Sequence, residues 1–138
     1  MLELTAILKE HGLKVTPQRL SIFKMLRTTN VHPSAETIYK ALQKDHPTMS
    51  LATVYKTVDT FVQHGLIQQL NVGEDSYRYD ADTSEHSHIQ CTKCKQILDL
   101  PKLAQVDSLR KEVESITGYS HSHEQLYFYG ICPACQNS

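Results

Sequence analysis

The stretch SLATVYKTVDTFVQHGLIQQLNVGEDSYRYD, residues 50–80, changes its hydrophobic period halfway along, and that change sets the fold. Leu51, Val54, Val58 and Phe61 recur at helical spacing behind Ser50, a residue type that caps helix starts, and Gly65 suits the position just past a helix end. Thr53, Lys56, Thr57 and Thr60 make up the other, polar face. From Leu66 the period drops to two, so residues 66–72 and 76–80 read as strands joined by a turn at Gly73-Glu74-Asp75. Upstream, a helix is expected from Leu2 to about His11, ending near Gly12. A second starts behind Thr16-Pro17, with proline at the first helical position where its missing N–H does no harm, and carries Leu20, Phe23 and Leu26 inward. A third, capped by Ser34, runs to about Asp45 with Ile38 and Leu42 facing in. Helices followed by a two-stranded hairpin form a winged helix-turn-helix, here residues 1–80.

A polar hinge, residues 81–85, separates this from a second domain, residues 86–138. There a strand is expected at 86–91, another at 95–100, a helix at 103–117 and a last strand at 126–131. The fold class is therefore α+β, an N-terminal winged helix followed by a small α/β domain.

Charge divides the same way. Residues 1–60 hold eight Lys/Arg against five Asp/Glu, a net of +3, and residues 61–138 hold six against ten, a net of −4. All four cysteines and five of the eight histidines lie in the acidic half. Such an asymmetry suits a nucleic-acid-binding front and a metal-binding back. No apolar run approaches the roughly 20 residues that span a bilayer, and Met1-Leu2-Glu3-Leu4-Thr5 lacks the order of a signal peptide. A cytoplasmic protein without a membrane partner is expected. In that compartment thiols stay reduced, which favours metal binding over disulfides.

Cys91-Thr92-Lys93-Cys94 and Cys132-Pro133-Ala134-Cys135 are two C-x-x-C pairs with 37 residues between them. Two such knuckles complete a tetrahedral thiolate shell, which suits Zn(II). With every position filled by protein, the site is structural and ties the chain's end to the hairpin. A redox dithiol or iron–sulfur cluster fits less well, because no thioredoxin-like βαβ pattern is present.

A second donor set lies just upstream. His86 and His88 share one face of a strand, whereas Cys91 has the opposite parity, so histidines and cysteines serve different ions. A turn symmetric about Thr92-Lys93 would place His88 opposite Ile97 and His86 opposite Asp99. Asp80 at the end of the wing and His32 in a loop before Pro33 complete three nitrogens and two oxygens, a mix that suits Fe(II), Mn(II) or Zn(II).

The segment Gly12-Leu13-Lys14-Val15-Thr16-Pro17-Gln18-Arg19, the run Ser50-Leu51-Ala52-Thr53-Val54-Tyr55, the His86-Ser87-His88 pair, both knuckles, Gly118-Tyr119 and Tyr129-Gly130-Ile131-Cys132 resemble, in order and spacing, the ferric uptake regulator (Fur) family. The resemblance covers nearly the whole chain. It implies a homodimeric repressor on double-stranded operator DNA, a Cys₄ zinc, and a regulatory Fe(II) or Mn(II) held by His32, Asp80, His86, His88 and Asp99. The chain is most similar to the family's peroxide-sensing branch, in which aspartate stands at the position of Asp99. There the signal is oxidation of a ligand histidine by iron and hydrogen peroxide, and the matching positions are His32 and His86. The alternative is a family member that answers to iron or another metal itself. The family's additional metal site is replaced by Ser87, Val106 and Glu124, so no third metal is expected, and His121 and His123 read as solvated polarity. Lys56 matches neither the asparagine frequent in peroxide sensors nor the arginine frequent in iron sensors.

DNA contacts are expected from Thr53, Tyr55 and Lys56 near the start of the fourth helix, with Lys14 and Arg19 on phosphates. Two histidines and a carboxylate also hold iron in oxygenases. Here five protein ligands leave little room for a substrate, no nucleophile–base pair is visible, and no small-molecule substrate beyond metal ions and peroxide is expected. The chain is therefore not read as an enzyme. A zinc-only interaction module would leave the histidine–aspartate set without purpose.

Overall fold

The computed structural model describes residues 2–29, 31–71, 77–84 and 87–137. They form two units, Met1–Thr83 and Ser84–Ser138.

In the first unit, α1 (Leu2–Glu10), α2 (Pro17–Thr28), α3 (Ala35–Leu42) and α4 (Leu51–Gln63) precede β1 (Gln68–Leu70) and β2 (Arg78–Asp80). Three helix starts use one device. The hydroxyls of Thr16, Ser34 and Ser50 accept from the backbone N–H three residues on, at 3.2, 3.2 and 3.1 Å, satisfying a donor the helix itself leaves unpaired. At the end of α4, Gly65 takes φ +75°, a backbone region costly to residues with a Cβ. This lets Leu66 N–H donate to Phe61 O and Gly65 N–H to Val62 O, at 2.9 and 3.1 Å, the two bonds of a Schellman end. The apolar stripes meet in a core of Leu8, Ile22, Phe23, Leu26, Ile38, Val54, Val58 and Phe61. Phe23 and Phe61 pack edge to face with centroids 5.6 Å apart. Strands β1 and β2 pair antiparallel, Gln68 opposite Asp80. The expected turn at Gly73-Glu74-Asp75 lies outside the described residues.

Two expectations need correcting here. The third helix stops at Leu42, not Asp45, where the chain passes into a turn. Thr57 is buried, not on the polar face. Its hydroxyl donates to Thr53 O at 2.8 Å, so a polar side chain sits inside without an unsatisfied group.

The second unit holds β3 (Ser87–Cys91), β4 (Ile97–Leu100), α5 (Val106–Thr117), β5 (Tyr127–Gly130) and a short α6 (Pro133–Gln136). The sheet order is β4-β3-β5, with β3 antiparallel to β4 and parallel to β5. A parallel pair needs a crossover, and α5 lies within it. The helix starts at Val106 rather than at 103, because Val106 N–H bonds back only to Leu103 O, a single turn. Among the described residues, no helix is long and apolar enough to cross a membrane.

Candidate metal centres and nucleic-acid interface

Cys91 ends β3, Cys94 follows in the knuckle, and Cys132 and Cys135 bracket the start of α6. Their sulfurs all lie within 4.8 Å of one another, and none is in a disulfide. Cys94 Sγ and Cys132 Sγ are 3.8 Å apart, which is the edge of a tetrahedron with metal–sulfur bonds of about 2.3 Å. Backbone N–H groups of Cys132 and Cys94 each donate to Cys91 Sγ at 3.4 Å. They draw the Cys91 thiol down to about 5, the Cys132 contribution being the larger. The opposite holds at Cys135, pushed up to about 12, first by its contact with the Cys132 sulfur and then by burial. One thiolate is thus ready-made, while further ones crowd against it. A divalent cation removes that conflict, so the donor set fits a structural zinc.

The histidine–carboxylate donors occur as two pairs, one in each unit. In the first unit His32 stands between α2 and α3, nearly fully buried, with Nε2 3.8 Å from Asp80 Oδ2. That is an ion-pair distance, too long for a hydrogen bond. The other oxygen of Asp80 accepts from Asp82 N–H at 2.9 Å. His32 has φ +53°, a left-handed conformation costing a non-glycine residue about 1–2 kcal/mol. Strand β2 holds it there residue by residue. Arg78 Nη1 donates to His32 O at 3.0 Å, Tyr79 N–H donates to Pro33 O at 3.0 Å, and Asp80 faces the ring.

In the second unit His88 is buried on the central strand, and its Nε2 is 3.1 Å from Asp99 Oδ1 on β4. The register puts His88 opposite Asp99 and Gln90 opposite Ile97. This corrects the expected pairing of His88 with Ile97 and His86 with Asp99. The knuckle is not symmetric about Thr92-Lys93. Its loop holds four residues, Thr92 to Lys95, closed by Cys91 N–H to Gln96 O at 3.0 Å, with Lys95 at φ +68°. That shift in the turn's centre moves every partner by two positions. His86 lies outside the described residues.

On α4, Thr53, Tyr55 and Lys56 are exposed, as expected of DNA contacts. Thr53 also shares the cap of the helix, its Oγ1 3.0 Å from Ser50 Oγ. Tyr55 donates its phenolic hydrogen to Glu36 of α3. Arg19 Nη1 donates to Lys14 O at 2.8 Å, so the two expected phosphate contacts stand side by side.

Sequence reasoning missed Arg78 and a cluster in the second unit. No local pattern marks Arg78, whose acceptor lies 46 positions away. In the cluster, Arg110 holds Glu124 through Nε at 2.9 Å to each carboxylate oxygen, and reaches Asp107 at 2.9 Å. His121 Nε2 approaches Glu124 to 2.6 Å without hydrogen-bond alignment. His121 is half-buried there, which corrects its reading as solvated, whereas His123 is exposed. A guanidinium thus occupies the carboxylate at Glu124.

Four helices, three of them capped, a two-stranded wing and a small sheet closed by four cysteines define a winged-helix regulator with a structural metal centre. A family model, the ferric uptake regulator family, matches residues 10–129. The chain belongs to the ferric uptake regulator family. It is 52% identical over 137 residues to transcriptional regulator PerR of Clostridium acetobutylicum, covering 99% of each chain. It is 42% identical over 130 residues to the peroxide operon regulator of Bacillus subtilis, covering 93% of this chain and 88% of that one. Among solved structures it is similar to the Campylobacter jejuni peroxide stress regulator, with a TM-score of 0.73, 37% identity, and coverage of 95% of this chain and 98% of that one.

Proposed function

We propose that this protein is a cytoplasmic, homodimeric transcriptional repressor that binds operator DNA when a regulatory metal is bound and releases it when hydrogen peroxide oxidises a ligand histidine. The carrying observation is the presence of two histidine–aspartate pairs, His32–Asp80 and His88–Asp99, each built on a buried histidine and lying apart from the cysteine centre. The relatives named for peroxide regulation support it.

Each pair supplies two of the four to six donors that a divalent ion takes, so neither is a complete shell. On this reading His32 and Asp80 from the winged-helix unit join His86, His88 and Asp99 around one Fe(II) or Mn(II), while Zn(II) stays with Cys91, Cys94, Cys132 and Cys135. Binding then rewards only the arrangement of the units that closes the shell, and linkage carries that preference to DNA. The imidazoles must be neutral to coordinate, so acid weakens the coupling. A ferrous ion in this shell supplies the reduction of hydrogen peroxide. The net change is that an imidazole C–H of His32 or His86 becomes C–OH and peroxide leaves as water. An altered His32 no longer ligates, and its strained loop loses one of its restraints.

Leu109, Val113 and Ile116 leave α5 with an apolar face that is 51, 49 and 76% exposed in the single chain, as a dimerisation helix requires. On α4, the exposed Thr53, Tyr55 and Lys56 face the major groove, with Arg19 and Lys14 on the backbone.

The test is a gel shift with a duplex selected from a random pool by the zinc-containing protein, with and without Mn(II). Metal should tighten binding by roughly 5- to 150-fold. His32→Ala should abolish that gain while keeping zinc. Metal-dependent binding by His32→Ala equal to wild type contradicts the proposal.

A further inference from the structure

Glu36 stands in the first turn of α3, two residues past the Ser34 cap, and is half-buried. Its carboxylate accepts the phenolic hydrogen of Tyr55, 19 positions away on α4. Its own backbone amide and the Ser34 hydroxyl also favour its charged form. The Tyr55 hydrogen bond is the largest reason why this carboxyl lies below its usual range, and the same contact raises the phenol. The proton therefore stays on Tyr55, and the pair is a neutral donor on a charged acceptor, the stronger kind of hydrogen bond. Tyr55 remains 40% exposed on the face that carries Thr53 and Lys56.

A carboxylate on a surface that meets a polyanion weakens binding through charge alone. Its geometry offers something else. An exposed tyrosine samples several rotamers and must lose them on binding; one clamped from a neighbouring helix has lost them before the partner arrives. We propose that Glu36 is a positioning residue for sequence recognition, holding Tyr55 in the orientation in which α4 presents it to DNA. The inference rests on the reading of α4 as the recognition helix.

Charge and positioning predict opposite signs, which makes them separable. The probes are the duplex that the Mn(II)- and zinc-loaded wild-type dimer selects from a random pool, and an unrelated duplex of equal length. Glu36→Ala should weaken the selected duplex about tenfold, the scale of one hydrogen bond to a charged group. Binding to the unrelated duplex should stay unchanged or tighten. Glu36→Gln keeps an acceptor for the phenol and should stay within about threefold of wild type on the selected duplex, by the weaker neutral bond. Tyr55→Phe should weaken the selected duplex, and adding Glu36→Ala to it should weaken it no further. Glu36→Ala binding the selected duplex as tightly as wild type, or losing both duplexes equally, overturns the proposal. A wild-type dimer that selects no duplex overturns instead the DNA reading beneath it.

Discussion

Replacing Arg78 with methionine should weaken the regulatory metal about tenfold while leaving the fold intact. The magnitude follows from the His32 loop. His32 sits at φ +53°, which costs about 1–2 kcal/mol in a residue with a Cβ. Against that stands the guanidinium donating to His32 O at 3.0 Å. A hydrogen bond from a charged donor contributes about 1.5–3 kcal/mol, and partial exposure places this one near the lower end. The two terms are about equal, so the bond offsets the strain. Without it the ligand-presenting loop is disfavoured by about 1.5 kcal/mol, and apparent affinity falls with the competent fraction. Methionine keeps the apolar stem, and the capped helices do not depend on this contact. The assay is Mn(II) competition against a chelating dye at fixed pH, on protein that retains its zinc, with a thermal melt alongside. An Arg78→Met dissociation constant within twofold of wild type refutes the reasoning.

Cys135→Ser should lose the zinc, because three thiolates and a hydroxyl replace a four-thiolate shell. Amides tied to the knuckles, such as Thr92 N–H on Gly130 O at 2.8 Å, should then lose protection from exchange, while those of α2 and α4 keep it. Full zinc content in this variant would contradict the assignment. Glu124 lies below its usual 4.5, chiefly because Arg110 bonds it and secondly through His121. A carboxyl depressed in the folded state stabilises fully above its unfolded value and loses that contribution as pH falls through its folded value. The urea midpoint of Glu124→Gln should therefore lie below wild type at pH 7, and the gap should close below pH 4.5. A gap that persists at low pH would show a packing effect instead.

What was legible in the sequence is what depends on near neighbours. Thr16, Ser34 and Ser50 mark helix starts because the donor that each satisfies lies three residues away. Gly65 marks an end because its conformation is a local matter. The change of period after Leu66 separates helix from hairpin for the same reason. The strand register was not legible. Pairing of His88 with Asp99 depends on the length of the knuckle loop and on Lys95 adopting a left-handed conformation, and no residue type announces that conformation in a lysine. Nor was Thr57 legible as buried, since its hydroxyl is satisfied by a turn of its own helix rather than by water.

Within the site, donors could be named from short spacings or from their places in a loop or at the wing's end, whereas residues that make contacts across the chain could not. The two C-x-x-C pairs are visible as spacing, and the structure brings their four sulfurs together. Arg78, Arg110 and Glu36 each meet partners 14 to 46 positions away, beyond the reach of any periodicity. His121 was misread although Glu124 lies only three positions on, because the carboxylate that faces it is held in place by Arg110, 14 positions away on α5.

The central claim is that peroxide acts through iron on a ligand histidine. It is tested most directly by loading the zinc-containing dimer anaerobically with Fe(II) or Mn(II), adding modest hydrogen peroxide, and following binding to a selected operator duplex together with mass spectrometry of the peptides carrying His32 and His86. The account predicts that only the iron form releases DNA and that one of those peptides gains a single oxygen. Retention of DNA by both forms, with both histidines intact, would contradict it and identify a repressor that answers to metal level instead.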